Sequence, residues 1–286
     1  MILNPVSGNR KSFYLDKYIR KYFDLKQFDY NIVHTKYAGH GYKIALDATF
    51  DGYKLVVVAG GDGMINEVAH GLANSNTVMG IIPNGSGNGL ARHLEIPLNP
   101  VKAIEVLNRF NTSFMDTYII NKKGFFCNMA GVGFDALVAQ KFANGKKRRF
   151  ITYLRIILKE FISYKPHNYY IKIDNRELSL KAFIVSFANS SQFGNNAVIA
   201  PKASVKDGMI NVCIMKSFKW YQAPYIGFML LTGRIDKTSF MTFFKAKDVK
   251  IKMFDANYCH LDGDPYEFGN VINIKPNEAS LKIVTP

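Results

Sequence analysis

Residues 54–59 read Lys-Leu-Val-Val-Val-Ala, and this near-continuous β-branched run meets Gly60-Gly61-Asp62-Gly63 directly. A run apolar on both faces suits a central strand of a parallel sheet rather than a half-solvated hairpin strand. Beyond the glycines, Ile65, Val68, Ala69 and Leu72 recur at i, i+3, i+4 and i+7, the stripe of an amphipathic helix. The unit then repeats: an apolar strand over residues 79–83, the loop Asn84-Gly85-Ser86-Gly87-Asn88-Gly89, and a helix starting at Leu90. Upstream, strand signals at 1–4 and 30–35 alternate with helix signals at 12–23 and 39–50. Alternation of this kind predicts an open α/β half with right-handed crossovers.

From residue 114 the texture changes. Short alternating or apolar runs at 115–121, 125–129, 169–174, 182–188, 209–215, 249–254, 271–275 and 281–284 are separated by Gly, Asn, Asp and Pro turns. That pattern predicts an antiparallel sandwich or barrel, interrupted by helices over 150–163 and 221–231. The length of 286 residues accommodates two domains, expected over 1–113 and 114–278.

Composition narrows the classes. The longest apolar stretches fall far short of the ~20 residues that span a bilayer, and no basic-then-apolar leader opens the chain, so a cytoplasmic protein is expected. Cys127, Cys213 and Cys259 lie far apart with no C-x-x-C spacing, which speaks against disulfides and zinc. The six histidines form no metal-binding cluster. Lys and Arg exceed Asp and Glu by 37 − 22 = 15, which favours anionic partners such as phosphorylated small molecules or an anionic lipid surface. Apart from residues 146–149 the basic residues are dispersed, and no nucleic-acid-binding motif accompanies them, so nucleic acid is not an expected partner.

Glycines between a buried strand and a helix let the backbone approach a phosphate, and the helix N-terminus offers unpaired N–H groups. Asp62 adds a carboxylate at the carboxyl edge of the sheet. Beside phosphates such a carboxylate calls for a cation, and Mg²⁺ bound by one carboxylate plus phosphate oxygens is the usual solution. Glu67 would support this site or make a first-turn cap contact. The loops are neither G-x-x-x-x-G-K-[ST] nor, after the first strand, G-x-G-x-x-G, which disfavours a P-loop ATPase and a dinucleotide oxidoreductase.

Taken together, Asn4-Pro5-Val6-Ser7-Gly8, Gly60-Gly61-Asp62-Gly63 with Asn66-Glu67-Val68, and Gly85-Ser86-Gly87-Asn88-Gly89-Leu90-Ala91 resemble the diacylglycerol kinase catalytic domain. So do Gly131-Val132-Gly133-Phe134-Asp135-Ala136, Asp207-Gly208 and Leu261-Asp262-Gly263-Asp264. The resemblance spans the chain in order, and points to the soluble bacterial lipid kinases related to sphingosine and ceramide kinases. It implies an N-terminal α/β domain of NAD-kinase/phosphofructokinase type, a C-terminal antiparallel β-sandwich carrying the lipid site, and a last strand (about 279–286) that returns to the first domain.

The resemblance also implies roles. Asn4 and Ser7 would lie beside the nucleotide, although Asn-Pro and Ser-Gly are also plain turn formers. Gly60, Gly61, Asp62 and Gly63 would meet the phosphates of ATP and Mg²⁺, with Gly85, Ser86, Gly87 and Asn88 on the second loop. Asp262 and Asp264 would be the carboxylate pair that activates the lipid hydroxyl or holds Mg²⁺; a D-G hairpin turn is the alternative. Whether Asp62 or Asp264 is the general base stays open. Asp207, with the carbonyls of Val205 and Met209, matches a structural Mg²⁺ position, or else opens a strand as a turn. Lys147, Arg148 and Arg149 would reach phosphates or an anionic membrane, and residues 218–231 would form an interfacial element or pack in the core. Met64 stands where many relatives have Thr, and Asp264 where they have Glu. Leu137 and Ala139 replace the acidic residues with which sphingosine kinases hold a lipid amine, which argues against an amino-lipid.

The activity expected is therefore ATP- and Mg²⁺-dependent phosphorylation of a membrane-lipid hydroxyl, diacylglycerol or a related glycerolipid first. A sphingoid-base or ceramide kinase, an NAD-kinase-like enzyme and a non-catalytic nucleotide- or lipid-binding protein are the alternatives. Peripheral membrane contact during turnover is expected, and a homodimer is left open.

Overall fold

The computed structural model describes residues 1–5, 12–145, 150–254 and 258–286. Ser7 and the basic residues Lys147, Arg148 and Arg149 fall outside the described residues. The chain forms two compact units, one of residues 1–117 with 278–286, the other of residues 118–277.

The first unit opens with β1 (Ile2–Leu3), α1 (Ser12–Tyr22), β2 (Val33–His34) and α2 (His40–Phe50). It continues through β3 (Leu55–Gly60), α3 (Asp62–Leu72), β4 (Val78–Pro83), α4 (Gly89–His93) and α5 (Pro100–Arg109). The strands lie in the order β2-β1-β3-β4, all parallel. Val56, Val57, Val58 and Ala59 on β3 are each at most 3% exposed, as a strand covered on both faces requires. Ile65, Val68, Ala69 and Leu72, the stripe read from the sequence, are all buried. α5 had no counterpart in the pattern reading, yet it carries a good start signal. Asn99 caps it by accepting from the N–H groups of Val101 and Lys102, with Pro100 at the first helical position.

The chain leaves this unit within β5 (Thr112–Ile120), followed by β6 (Gly124–Phe126), β7 (Met129–Gly133), α6 (Phe134–Ala143) and α7 (Phe150–Ser163). Next come β8 (His167–Ile173), β9 (Arg176–Ala182), β10 (Ile184–Ala188), β11 (Ile210–Met215) and α8 (Ala223–Leu231). The last elements are β12 (Met241–Ala246), β13 (Val249–Met253), β14 (Tyr258–Leu261), β15 (Asp264–Glu267) and β16 (Val271–Val284). The apolar runs at 271–275 and 281–284 thus belong to one strand. Its first part pairs antiparallel with β13, and Ile283 pairs parallel with Met79 of β4.

In the second unit one antiparallel sheet runs β12-β11-β10-β7-β14-β15. A second layer contains β9-β8-β13 and the start of β16. Tyr169, Ile171, Val185, Phe187, Val212, Val249 and Ile251 meet between the layers. The other face of the first sheet is covered by an aromatic-rich cluster to which Phe134, Val138, Phe161, Phe183, Ile226 and Met229 contribute. The architecture is an N-terminal open α/β domain plus a C-terminal antiparallel β-sandwich.

Candidate functional site

In the first unit the sheet order 2-1-3-4 reverses between β1 and β3. Ligands of open α/β sheets bind outside the carboxyl ends of the strands at such a switch point. Asn4 ends β1 there, its N–H bonded to the Ala59 carbonyl, and the Asn84 N–H beyond β4 bonds to the Gly60 carbonyl. Asn4 also lines a pocket of about 690 Å³ together with Leu3, Lys17, Arg20 and His34.

The two glycine-rich loops grip one another. A Cβ built on Gly85 would lie 2.5 Å from the Gly61 Cα, so Gly85 excludes any larger residue at the present spacing, while a Cβ on Gly61 would lie 3.2 Å from the Gly85 Cα, a tight contact. Asp62 Oδ2 accepts from the Asn88 N–H at 2.8 Å and Oδ1 from the Gly89 N–H at 2.7 Å. Asn88, at φ 53°, in turn accepts from the Gly85 N–H and donates to its carbonyl. Gly63 lies in the first turn of α3, Ser86 is exposed, and the Gly87 carbonyl accepts from Arg92 Nε. Asp62 therefore sits at the start of two helices, where their dipoles favour an anion.

Glu67 is placed otherwise than expected. Its Oε1 accepts from the Gly39 N–H and its Oε2 from the Gly41 N–H, so both oxygens cap the start of α2. The helix on which it rides directs it to the neighbouring helix, and a cap at i+5 from Asp62 was not readable without the packing of α2 on α3.

In the second unit the Asp262-Gly263 pair, with φ 48° and 92°, is the two-residue turn between β14 and β15. The turn does not exhaust Asp262. Its carboxylate is buried and accepts the N–H groups of Cys127, Asn128 and Met129 at 2.7–3.0 Å. Asp262 and Asp264 are consequently not an equivalent pair: the first anchors the loop into β7, and the second is exposed at the first position of β15.

Asp207 does not fit a cation site. Its Oδ2 lies 2.6 Å from Lys245 Nζ, and its Oδ1 accepts the Met209 N–H at 3.2 Å. A lysine already neutralises the carboxylate, so the turn reading of Val205, Asp207 and Met209 is the one the geometry fits. Among the described residues no group of three or more His, Cys, Asp or Glu side chains could hold a metal.

One polar cluster was not anticipated. Ser186 on β10, Gly131 on β7 and His260 on β14 stand opposite one another across the sheet. Asp135, in the first turn of α6, reaches this row: its Oδ2 lies 3.1 Å from His260 Nε2 and 3.2 Å from Ser186 Oγ, and its Oδ1 accepts the Ala136 N–H. All three side chains are at least nine-tenths buried. The anion is felt around it: burial first and Asp135 second push the Tyr153 hydroxyl and the Cys259 thiol each up to about 12. Asp135 and Gly131 stand in a motif quoted above, but no spacing rule connects them to His260, two residues before Asp262.

The outer face of this unit carries exposed apolar residues. Ile151, Leu154, Leu158 and Ile162 form one stripe of α7, with Ile162 88% exposed. Trp220 (78% exposed), Tyr221, Tyr225, Phe228 and Leu231 are exposed on and before α8, while Ile226 and Met229 are buried. Residues 218–231 thus divide between core and surface. No helix among the described residues is long and apolar enough to cross a membrane.

Residues 1–119 match the diacylglycerol kinase catalytic domain, and residues 128–283 the YegS C-terminal NAD kinase beta sandwich-like domain. A diacylglycerol kinase of Bacillus subtilis (strain 168) is 28% identical over 289 residues, covering 95% of this chain and 92% of that protein. The crystal structure of a diacylglycerol kinase from Bacillus anthracis str. Sterne superposes with TM-score 0.75 at 18% identity, covering 100% of this chain and 95% of the other. An NAD kinase from Archaeoglobus fulgidus in complex with ATP shares the fold at TM-score 0.53 and 10% identity, over 99% and 92% of the two chains. With both domain families matched in order along a loop-and-turn framework that carries their motifs, the chain belongs to the diacylglycerol kinase catalytic-domain family of lipid kinases, phosphotransferases with an alcohol acceptor.

Proposed function

We propose that the chain transfers the γ-phosphoryl group of ATP to the hydroxyl of a membrane glycerolipid, diacylglycerol first. The observation that carries this reading is the pair of glycine loops locked by Asp62 at the β1/β3 switch point, in a chain of this family. Asn4, Gly60, Gly61, Gly63, Gly85, Ser86, Gly87 and Asn88 would face the nucleotide phosphates. Backbone N–H groups and helix starts suit such an anion.

Asp62 also fits a Mg²⁺ that arrives on the triphosphate. A carboxylate oxygen that accepts a backbone N–H can also ligate a cation. Bound there, the ion would neutralise phosphate charge. Asp264 is exposed beside the turn, whereas the Asp262 carboxylate is buried and accepts three backbone N–H groups, so the base for the lipid hydroxyl is assigned to Asp264. Asp262 acts by holding residues 127–129 in place. Glu67 is assigned to α2 rather than to the nucleotide, and Asp207 to its turn.

The exposed stripe of α7 and the aromatic surface before and along α8 support peripheral contact with a membrane. Arg155, Lys159, Lys165 and Lys219 lie in or beside these segments, and the chain is strongly basic. A cytoplasmic location follows from this reading.

The test is a steady-state assay with ATP, Mg²⁺ and 1,2-dioctanoylglycerol in mixed micelles. Saturable formation of the phosphorylated lipid, lost in Asp264→Ala, is expected. No transfer to this lipid, or phosphorylation of NAD in its place, would overturn the reading.

A further inference from the structure

The pocket beside β1 has in its wall a carboxylate oxygen that the chain leaves unsatisfied. Its volume of about 690 Å³ is that of a small-molecule site, and Leu3, Pro5 and Leu15 give it apolar walls. Asp16, in the first half of α1, lines it as well. The Oδ1 of Asp16 is buried and has no hydrogen-bond partner. Lys17, Arg20, Lys21 and His34 also line the pocket, yet among the described residues no ion pair joins Asp16 to any of them. A buried acceptor without a donor destabilises the fold that holds it, so its retention calls for a donor from outside. The group is within reach. Asp16 is only partly buried and the four basic residues are exposed, so the carboxylate stands at the wall of an open pocket rather than sealed in a core.

The pocket continues the carboxyl edge on which the glycine loops sit. Asn4 belongs to both: it lines the pocket, and its N–H bonds to the Ala59 carbonyl just before Gly60. Leu3 and His34 are paired neighbours on β1 and β2, so the pocket takes in the two strands on one side of β3. With strands about 4.8 Å apart, β2 lies roughly 10 Å from β3, the reach of a nucleotide whose phosphates rest on the loops after β3 and β4. The nucleoside end then falls in the pocket, and the chemistry there agrees. A carboxylate repels phosphate but accepts from an uncharged donor. A nucleoside offers two kinds, the exocyclic amino group of the base and the hydroxyls of the ribose. Apolar walls suit the faces of a base, and the exposed cations attract the polyanion as a whole.

We infer that Asp16 is a specificity-determining residue for the phosphate donor: its carboxylate accepts a hydrogen bond from the nucleoside of ATP, at the base amino group or at a ribose hydroxyl. This rests on the kinase reading above and adds to it the group that selects the nucleotide. An analogue lacking the donor leaves Oδ1 bare again and is rejected.

The experiment is calorimetric titration of the full-length chain with ADP, which carries the nucleoside of ATP and is not turned over. It is repeated with the diphosphate of purine riboside, which lacks the amino group, and with 2′-deoxy-ADP and 3′-deoxy-ADP. One analogue binds on the order of tenfold weaker than ADP or more, the size of a hydrogen bond to a charged acceptor, and its identity names the donor. Asp16→Ala binds ADP and that analogue alike. Without nucleotide Asp16→Ala melts no lower than the wild type, because a bare acceptor has been removed, whereas a merely structural carboxylate would lower the melting temperature. Equal binding of ADP and all three analogues by the wild type would overturn the inference, as would discrimination that persists in Asp16→Ala. The wild-type series decides the question even where the variant folds poorly. Failure of the wild type to bind ADP at all is a separate result: it removes the kinase reading and this inference with it.

Discussion

Replacing Asp62 by Ala separates two roles that the residue combines. The substitution removes the acceptor of two backbone N–H groups, those of Asn88 and Gly89, both in buried residues. A hydrogen bond to a charged acceptor contributes about 1.5–3 kcal/mol net. Asp62 is half-buried, so the lower part of that range applies, and the two bonds together give about 2–4 kcal/mol. In a protein of this size that amounts to a fall in melting temperature of roughly 5–12 °C. Asp62→Asn keeps one acceptor and should lose about half as much. Hydrogen exchange adds the local readout: the Asn88 and Gly89 amides exchange on the order of tenfold faster or more in Asp62→Ala, since their opening no longer breaks a bond. Calorimetry and exchange are to be read beside turnover, which both variants lose. An Asp62→Ala protein that melts with the wild type and exchanges these amides at the same rate would refute the loop-locking role.

Gly85→Ala places a methyl group 2.5 Å from the Gly61 Cα, and overpacking of this kind costs about 1–3 kcal/mol; a melting curve unchanged from wild type would show that the loops separate freely. Glu67→Ala uncaps α2 and should cost about 1–2 kcal/mol by denaturant titration while the KM for ATP stays within about twofold, and a large rise in that KM would return Glu67 to the nucleotide. The three cysteines are buried, and burial pushes the Cys213 and Cys259 thiols up, so a thiol reagent at pH 8 should label none of them before unfolding; rapid labelling of Cys213 would contradict the packing. Burial raises Tyr153 to about 12 and Tyr164 further, so the fold holds both protonated. Their contribution to stability is complete below the unfolded value near 10 and is lost as pH rises from 10 toward 12, which alkaline denaturation monitored by circular dichroism would show.

Much of the fold was legible because it rests on local signals. The β-branched run into Gly60 and the stripe from Ile65 to Leu72 each specify an element by periodicity alone, and the structure has both. α6 escaped the pattern reading because it is buried: Phe134, Ala136, Val138 and Ala139 all lie in the core, which erases the amphipathic period. The run at 125–129 was read as one strand but divides into β6 and β7, because Asp262 draws the N–H groups of residues 127–129 to its carboxylate. The site shows the same limit. Gly60, Gly61 and Asp62 announce a strand-loop-helix phosphate geometry, but the partners of Asp62, Glu67 and Asp207 are set by tertiary neighbours 26 or more residues away. His260 and Asp135 are 125 residues apart, and only the register of β7, β10 and β14 joins them.

The central claim is phosphoryl transfer from ATP to a lipid alcohol, and one measurement addresses it without choosing the lipid beforehand. The protein is incubated with γ-labelled ATP, Mg²⁺ and a total lipid extract with NAD added, and every labelled product is identified by mass spectrometry. The account predicts label in a glycerolipid bearing a new phosphomonoester, absent with Asp264→Ala. Label in NAD alone, or in no acceptor at all, would contradict it.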